Sequence, residues 1–175
     1  TGSTNVGVFV DGAAATITNT GSGTIGITGT GGGITNSGTN RGFQVGTGAI
    51  ISTVNGNLTA TGTGGGAGTG TTNYGVFVTG ASSTVKTTGS GNMTITAVRG
   101  GGATASNYGV DIAVANGLQT TGTGTITVIN DTILMAEAND INSIGDLTIR
   151  PYTASTTVGV GSGAGTLGLT DTLLT

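Results

Sequence analysis

An all-β parallel β-solenoid with three strands per coil is the fold class that the sequence predicts, and three observations predict it. The first is an internal four-fold repeat marked by Asn5-Val6-Gly7-Val8-Phe9-Val10, Asn40-Arg41-Gly42-Phe43-Gln44-Val45, Asn73-Tyr74-Gly75-Val76-Phe77-Val78 and Asn107-Tyr108-Gly109-Val110-Asp111-Ile112. The starts lie 35, 33 and 34 residues apart, a period typical of stacked supersecondary units. The second is alternation: apolar residues recur at a period of two against Thr, and no stretch shows the 3.6-residue period of a helix. The third is composition. Gly (38) and Thr (39) make up 44% of the 175 residues, and charged residues only 6% against about 25% in ordinary globular proteins.

Each repeat divides into three short strands. In the first, Gly7–Val10 is followed by the Asp11-Gly12 turn, then Ala15–Asn19, then Gly21-Ser22-Gly23, then Thr24–Thr28. The third follows the same plan with Gly75–Val78, Thr84–Thr88 and Asn92–Ala97. Gly punctuates the strands because it takes positive φ without a steric penalty. A Gly-rich loop closes the repeat at Gly29–Thr39, Gly62–Thr72 and Arg99–Ser106. In the third strands, Ile25 and Ile27 flank Gly26, Met93 and Ile95 flank Thr94, and Ile126 and Val128 flank Thr127, which places one apolar pair per coil on the inner side.

Beyond residue 120 the third-type strands recur at Ile126, Leu147 and Leu167, now 21 and 20 residues apart. A bare coil of about 20 residues is therefore expected, with Gly-rich loops inserted in the first four coils. Residues 1–175 form one domain on this reading: looped coils over 1–120, bare coils over 121–175, about six coils in all. The narrow interior takes Val, Ile, Leu and Ala, and the six aromatics are not needed there. Neither end shows a capping helix or a charged cap, and Leu173-Leu174-Thr175 reads as a strand cut mid-stack, so a segment of a longer chain, or a subunit that stacks end to end, is expected.

Composition also excludes chemistry. Without Cys there is no disulfide and no thiolate metal site, and without His the commonest general base is missing. The net charge is −3, and Arg41, Lys86, Arg99 and Arg150 are too dispersed to form a phosphate-binding stripe, so no nucleic-acid partner is expected. No apolar run reaches the ~20 residues that span a bilayer, and no signal peptide is visible. No cofactor is expected. No acid pair recurs on one face for glycoside hydrolysis, so an enzyme is not expected either.

The unit Asn73-Tyr74-Gly75-Val76-Phe77-Val78 followed by Gly91-Asn92-Met93-Thr94-Ile95-Thr96 resembles the repeats of large filamentous-haemagglutinin-like bacterial surface proteins. The closing stretches Gly145–Pro151, Thr156–Gly161 and Gly165–Leu169 resemble sequences between their repeat blocks. The resemblance implies export to the bacterial cell surface, a right-handed β-helix and an adhesive or structural role.

Several columns are candidate sites. Arg41, Tyr74 and Tyr108 follow the repeat Asn and are expected to face solvent as a contact stripe for sugar rings or a partner protein. Phe9 and Phe77, in the next exposed column with Gln44 and Asp111, extend that stripe as a lateral contact between rods. The readings favoured over these are that Arg41, Tyr74 and Tyr108 pack on one another at the surface and that the adjacent long loop covers the Phe residues. Asn5, Asn40, Asn73 and Asn107 are expected to form a hydrogen-bonded ladder at a corner, with Gly7, Gly42, Gly75 and Gly109 as backbone necessities. No metal site is defined. Asp131, Asp140 and Asp146 are the calcium candidates, without the Gly-Gly-x-Gly-x-Asp repeat of calcium-binding β-rolls. The expected function is a rigid stalk segment with weak contacts to glycans or a host or neighbouring surface. The alternative is a fibre or sheath subunit joined to copies of itself end to end, and an exported polysaccharide-active enzyme is disfavoured.

Overall fold

In the computed structural model, residues 4–33, 38–67, 69–102 and 106–170 are described, and they contain seventeen strands and no helix. Parts of the Gly-rich loops and the closing Leu173-Leu174-Thr175 lie outside the described residues. Three five-stranded sheets form the walls of a parallel β-solenoid. The first contains β1 (Asn5–Asp11), β4 (Asn40–Gly46), β7 (Val76–Thr79), β10 (Val110–Ala113) and β13 (Ile133–Met135). The second contains β2 (Thr16–Asn19), β5 (Ile50–Thr53), β8 (Thr84–Thr87), β11 (Leu118–Thr120) and β14 (Ile141–Ser143). The third contains β3 (Ile25–Thr30), β6 (Leu58–Thr63), β9 (Met93–Val98), β12 (Ile126–Ile129) and β15 (Leu147–Arg150).

Equivalent residues of successive repeats stack directly. Val8, Phe43, Val76, Val110 and Ile133 form one column. Ile25, Leu58, Met93, Ile126 and Leu147 form another. A slip of one residue would turn each apolar set to the outside, so burial and backbone pairing select the same register. Apart from Leu147, which is 41% exposed on the last coil, these columns meet in one continuous core.

Phe43 corrects the expectation that the interior needs no aromatic: it is fully buried in that core. The second coil accommodates it by shrinking elsewhere. Ala60 stands where the adjacent coils place Ile27 and Ile95. The ring and the small residue offset each other in volume, as close packing requires.

The coil count also changes. The stack has five coils rather than about six, and loops follow β3, β6 and β9, while only Asn130–Thr132 joins β12 to β13. The fourth coil is thus bare. Leu147 pairs with Ile126 as the 21-residue spacing predicts, but Leu167 does not continue that column. It lies on β17 (Leu167–Leu169), which pairs in parallel with β16 (Val158–Val160) in a separate two-stranded sheet. Pro151, directly after β15, lacks the N–H that a continuing ladder needs. Leu167 is nonetheless fully buried, and β17 packs against β13 as a partial cover over the fifth coil.

Phe43→Ala leaves a cavity without a compensating neighbour and should lower unfolding stability by about 3–5 kcal/mol. Chemical denaturation reads the loss. Adding Ala60→Ile to that variant should recover part of it, whereas full additivity of two harmful changes would contradict the volume compensation.

Candidate functional site

The repeat Asn residues form the ladder that their spacing predicts. Asn5 Nδ2 donates to Asn40 Oδ1 at 2.7 Å, and Asn40 Nδ2 donates to Asn73 Oδ1 at 2.9 Å. The backbone N–H of Asn40 also donates to Asn73 Oδ1 (3.0 Å), and that of Asn73 to Asn107 Oδ1 (2.9 Å). The ladder then ties the loops down: Asn73 Nδ2 reaches Gly101 O at 3.1 Å and Asn107 Nδ2 reaches Gly70 O at 3.0 Å. Asn40, Asn73 and Asn107 are buried, so these bonds satisfy groups that water cannot reach.

The adjoining Gly column is a steric requirement rather than a turn requirement. None of Gly7, Gly42, Gly75 and Gly109 is among the positive-φ residues. A Cβ on Gly75 would lie 2.7 Å from both Gly109 O and Val98 O, so backbone meets backbone where the first sheet adjoins the third. Thr39 and Thr72, immediately before Asn40 and Asn73, take positive φ of 63° and 58°. That conformation is strained for a β-branched residue. Their hydroxyls bond each other at 3.1 Å across the coils.

The contact stripe is brought together, but not as an open platform. The Arg41 guanidinium carbon sits 4.2 Å from the Phe77 ring centroid and 5.6 Å from that of Tyr74. Arg41 Nη1 donates to Gln44 Oε1 at 2.7 Å. Tyr74 packs on Phe77 with centroids 5.1 Å apart and on Tyr108 at 6.1 Å. These are cation–π and tilted aromatic contacts within one cluster. Tyr74 is only 7% exposed, so the expectation of a solvent-facing ring is corrected there: the column closes on itself. Phe9, 50% exposed on β1, is the most open part of the stripe, while Arg41, Phe77 and Tyr108 are half-buried.

Asp111, like Gln44, stands in the column expected to be exposed and is buried. It is 4% exposed under this cluster, with Tyr74 as its hydrogen-bond partner and Oδ1 unpaired among the described residues. Burial pushes its carboxyl up to about 6, against the opposing pull of the Tyr74 hydroxyl and Arg41, with Asp140 adding repulsion. Burial, then Asp111, raise the Tyr74 phenol to about 12. The sequence signal for this pocket was faint: an acid standing where other repeats carry Phe or Gln.

The three calcium candidates have separate surroundings. Asp131 accepts bonds from Tyr152 N (3.0 Å), Thr153 N (2.8 Å), Thr153 Oγ1 (2.6 Å) and Thr156 Oγ1 (2.9 Å), and so anchors the turn after β15. Burial disfavours its charge, but these donors outweigh that and hold the carboxyl below its ordinary value. Asp140 is buried, which raises its carboxyl, and it accepts a bond from Glu137 N at 3.0 Å. Asp146 is exposed. Among the described residues no three acidic side chains gather into a group that could hold a metal ion. No protein-family model, curated protein or solved structure matches the chain. The fold itself defines a β-solenoid repeat protein.

A carboxyl raised by folding binds its proton more tightly in the folded state, so its contribution favours folding at low pH. For Asp111 that contribution is full below 3.8, the ordinary value, and is lost as pH rises through about 6. Asp111→Asn should therefore gain about 1–3 kcal/mol over the parent at pH 7 and little at pH 3. Denaturant midpoints measured across that range check it. An equal difference at both pH values would contradict the buried-carboxyl assignment.

Proposed function

We propose that the chain is a stalk segment of an exported bacterial surface protein of the filamentous-haemagglutinin-like kind. It works as a rigid β-solenoid spacer outside the cell, with weak adhesive contacts to glycans or a partner surface. The observation that carries this reading is the in-register stack of five coils in three sheets. Repetition of that kind builds length and stiffness, since each coil is braced by its neighbours. The resemblance of the Asn-Tyr-Gly-Val-Phe-Val unit at Asn73–Val78 to surface-protein repeats supports the same reading. Adhesive contact falls to the loops and to Phe9, because Arg41, Tyr74 and Phe77 are engaged with one another.

A second reading is a subunit of an extracellular fibre or sheath. It draws on β1, β2 and β3, each of which pairs with a single strand among the described residues, the geometry that strand addition by another copy would use. Sedimentation velocity separates the two. A stalk segment remains an elongated monomer as concentration rises, whereas a fibre subunit polymerises with a rise of about 24 Å per copy, five layers at the strand spacing. On a glycan array, binding should weaken several-fold in Phe9→Ala. Binding unchanged by that substitution would remove the stripe from the proposal.

A further inference from the structure

The Gly-rich connections after β3, β6 and β9 stack on one another as the strands do. Gly66 N donates to Gly33 O at 3.1 Å, Thr39 N to Thr71 O at 2.9 Å and Thr72 N to Ser106 O at 3.2 Å. Their backbones approach too closely for side chains between layers: a Cβ on Gly101 would lie 2.6 Å from Gly66 O. The next coil carries no such connection, so the pile of loops stops at its third layer.

Where the fourth layer is missing, there is a cleft of about 350 Å³, lined by residues 97–102 and by Asp131. The wall continues the chain past the end of β9, with Gly102 at a positive φ of 132° and Gly101 O already accepting from Asn73 Nδ2 and Asn107 Nδ2. Val98 O and Gly100 N are used by the layer before, through Gly64 N (2.9 Å) and Asn73 O (2.8 Å). Among the described residues, the N–H groups of Arg99, Gly101 and Gly102 donate to no partner. Arg99 is exposed, with no ion pair among the described residues. Asp131 is already engaged by the turn at Tyr152–Thr156, which leaves Arg99 as the charged group open to a ligand.

The Asn ladder breaks at the same place. Register carries it from Asn107 to Asn130, because Val110 pairs with Ile133. Asn130 is fully buried, yet among the described residues neither its Oδ1 nor its Nδ2 has a partner. In the coils above, equivalent side chains accept from the ladder and donate to a loop carbonyl. The fourth layer is therefore missing both as volume and as hydrogen bonds.

We propose that this cleft binds one extended peptide strand, glycine-containing and bearing a carboxylate, which takes the place of the missing loop layer. The carbonyls of a peptide backbone supply acceptors to the N–H groups of Arg99, Gly101 and Gly102, and the tight layer spacing leaves no room for bulk on that backbone. Glycine suits it because the layers above pack without Cβ atoms between them. The carboxylate pairs with Arg99. The lining contains no aromatic ring on which a sugar could stack.

The test is a titration of the full chain, labelled for amide NMR, with a synthetic Gly-Gly-Asp-Gly-Gly peptide. Shifts should concentrate at residues 97–102 and 131. The same peptide N-methylated along its backbone should bind at least about tenfold more weakly, as should the parent peptide to Arg99→Ala. Arg99 is exposed, so the variant should keep its fold, which circular dichroism checks. No shifts at millimolar peptide, the same shifts with acetate alone, equal binding of the N-methylated peptide, or shifts there with an oligosaccharide but not with the peptide would each overturn the proposal.

Discussion

Vertical register is the constraint from which the remaining features follow. Every strand in the three walls pairs in parallel with the equivalent strand one coil away, so a residue's neighbours above and below are its own counterparts. Parallel pairing at about 4.8 Å then turns any periodic sequence feature into a column. Apolar positions become a core, Asn positions a ladder and Gly positions a line of close backbone contact. The composition serves this geometry: β-branched residues suit the pleated walls, and Gly permits the corner where Gly42 and Gly75 meet the strand ends.

The corner between the third and first sheets carries both the strain and its compensation. Thr39 and Thr72 hold unfavourable positive φ, and the Asn residues that follow them are tied across the coils by charge-free hydrogen bonds in a buried setting. Buried amide bonds of this kind are individually modest but costly to leave unmade. That asymmetry explains why Asn130 stands out. It keeps its place in the column while its bonding partners do not, because the loop that would provide them is absent from its coil. The aromatic cluster over the first sheet arises from the same stacking. Coils set Arg41, Tyr74 and Tyr108 one above another, and their large side chains close over Asp111 rather than spread into solvent.

Much of the architecture was legible because its signals are local. The alternation around Gly26, Thr94 and Thr127 shows the inner face of a strand within a few residues, and the repeat Asn fixes the period. What was not legible depends on contacts between coils. The inward position of Phe43 is tolerated because of Ala60, whose smallness acquires meaning only beside Ile27 and Ile95. The burial of Tyr74 depends on neighbours more than 30 residues away in sequence, at Arg41 and Tyr108. Leu167 shows the limit of spacing arguments. Its distance from Leu147 fits one more coil, but the turn anchored by Asp131 diverts the chain, and Leu167 enters the core from β17 instead.

The in-register stack is most directly tested by cysteine cross-linking, which the cysteine-free chain makes clean. Thr59 and Thr94 are register partners on the outer face of the third sheet. At about 4.8 Å their Cα atoms fall within the range that a disulfide spans. Thr59→Cys with Thr94→Cys should form an intramolecular disulfide on mild oxidation, while Thr59→Cys with Thr96→Cys should not. Equal cross-linking of both pairs, or preference for the second, would contradict the register on which this account of the solenoid rests.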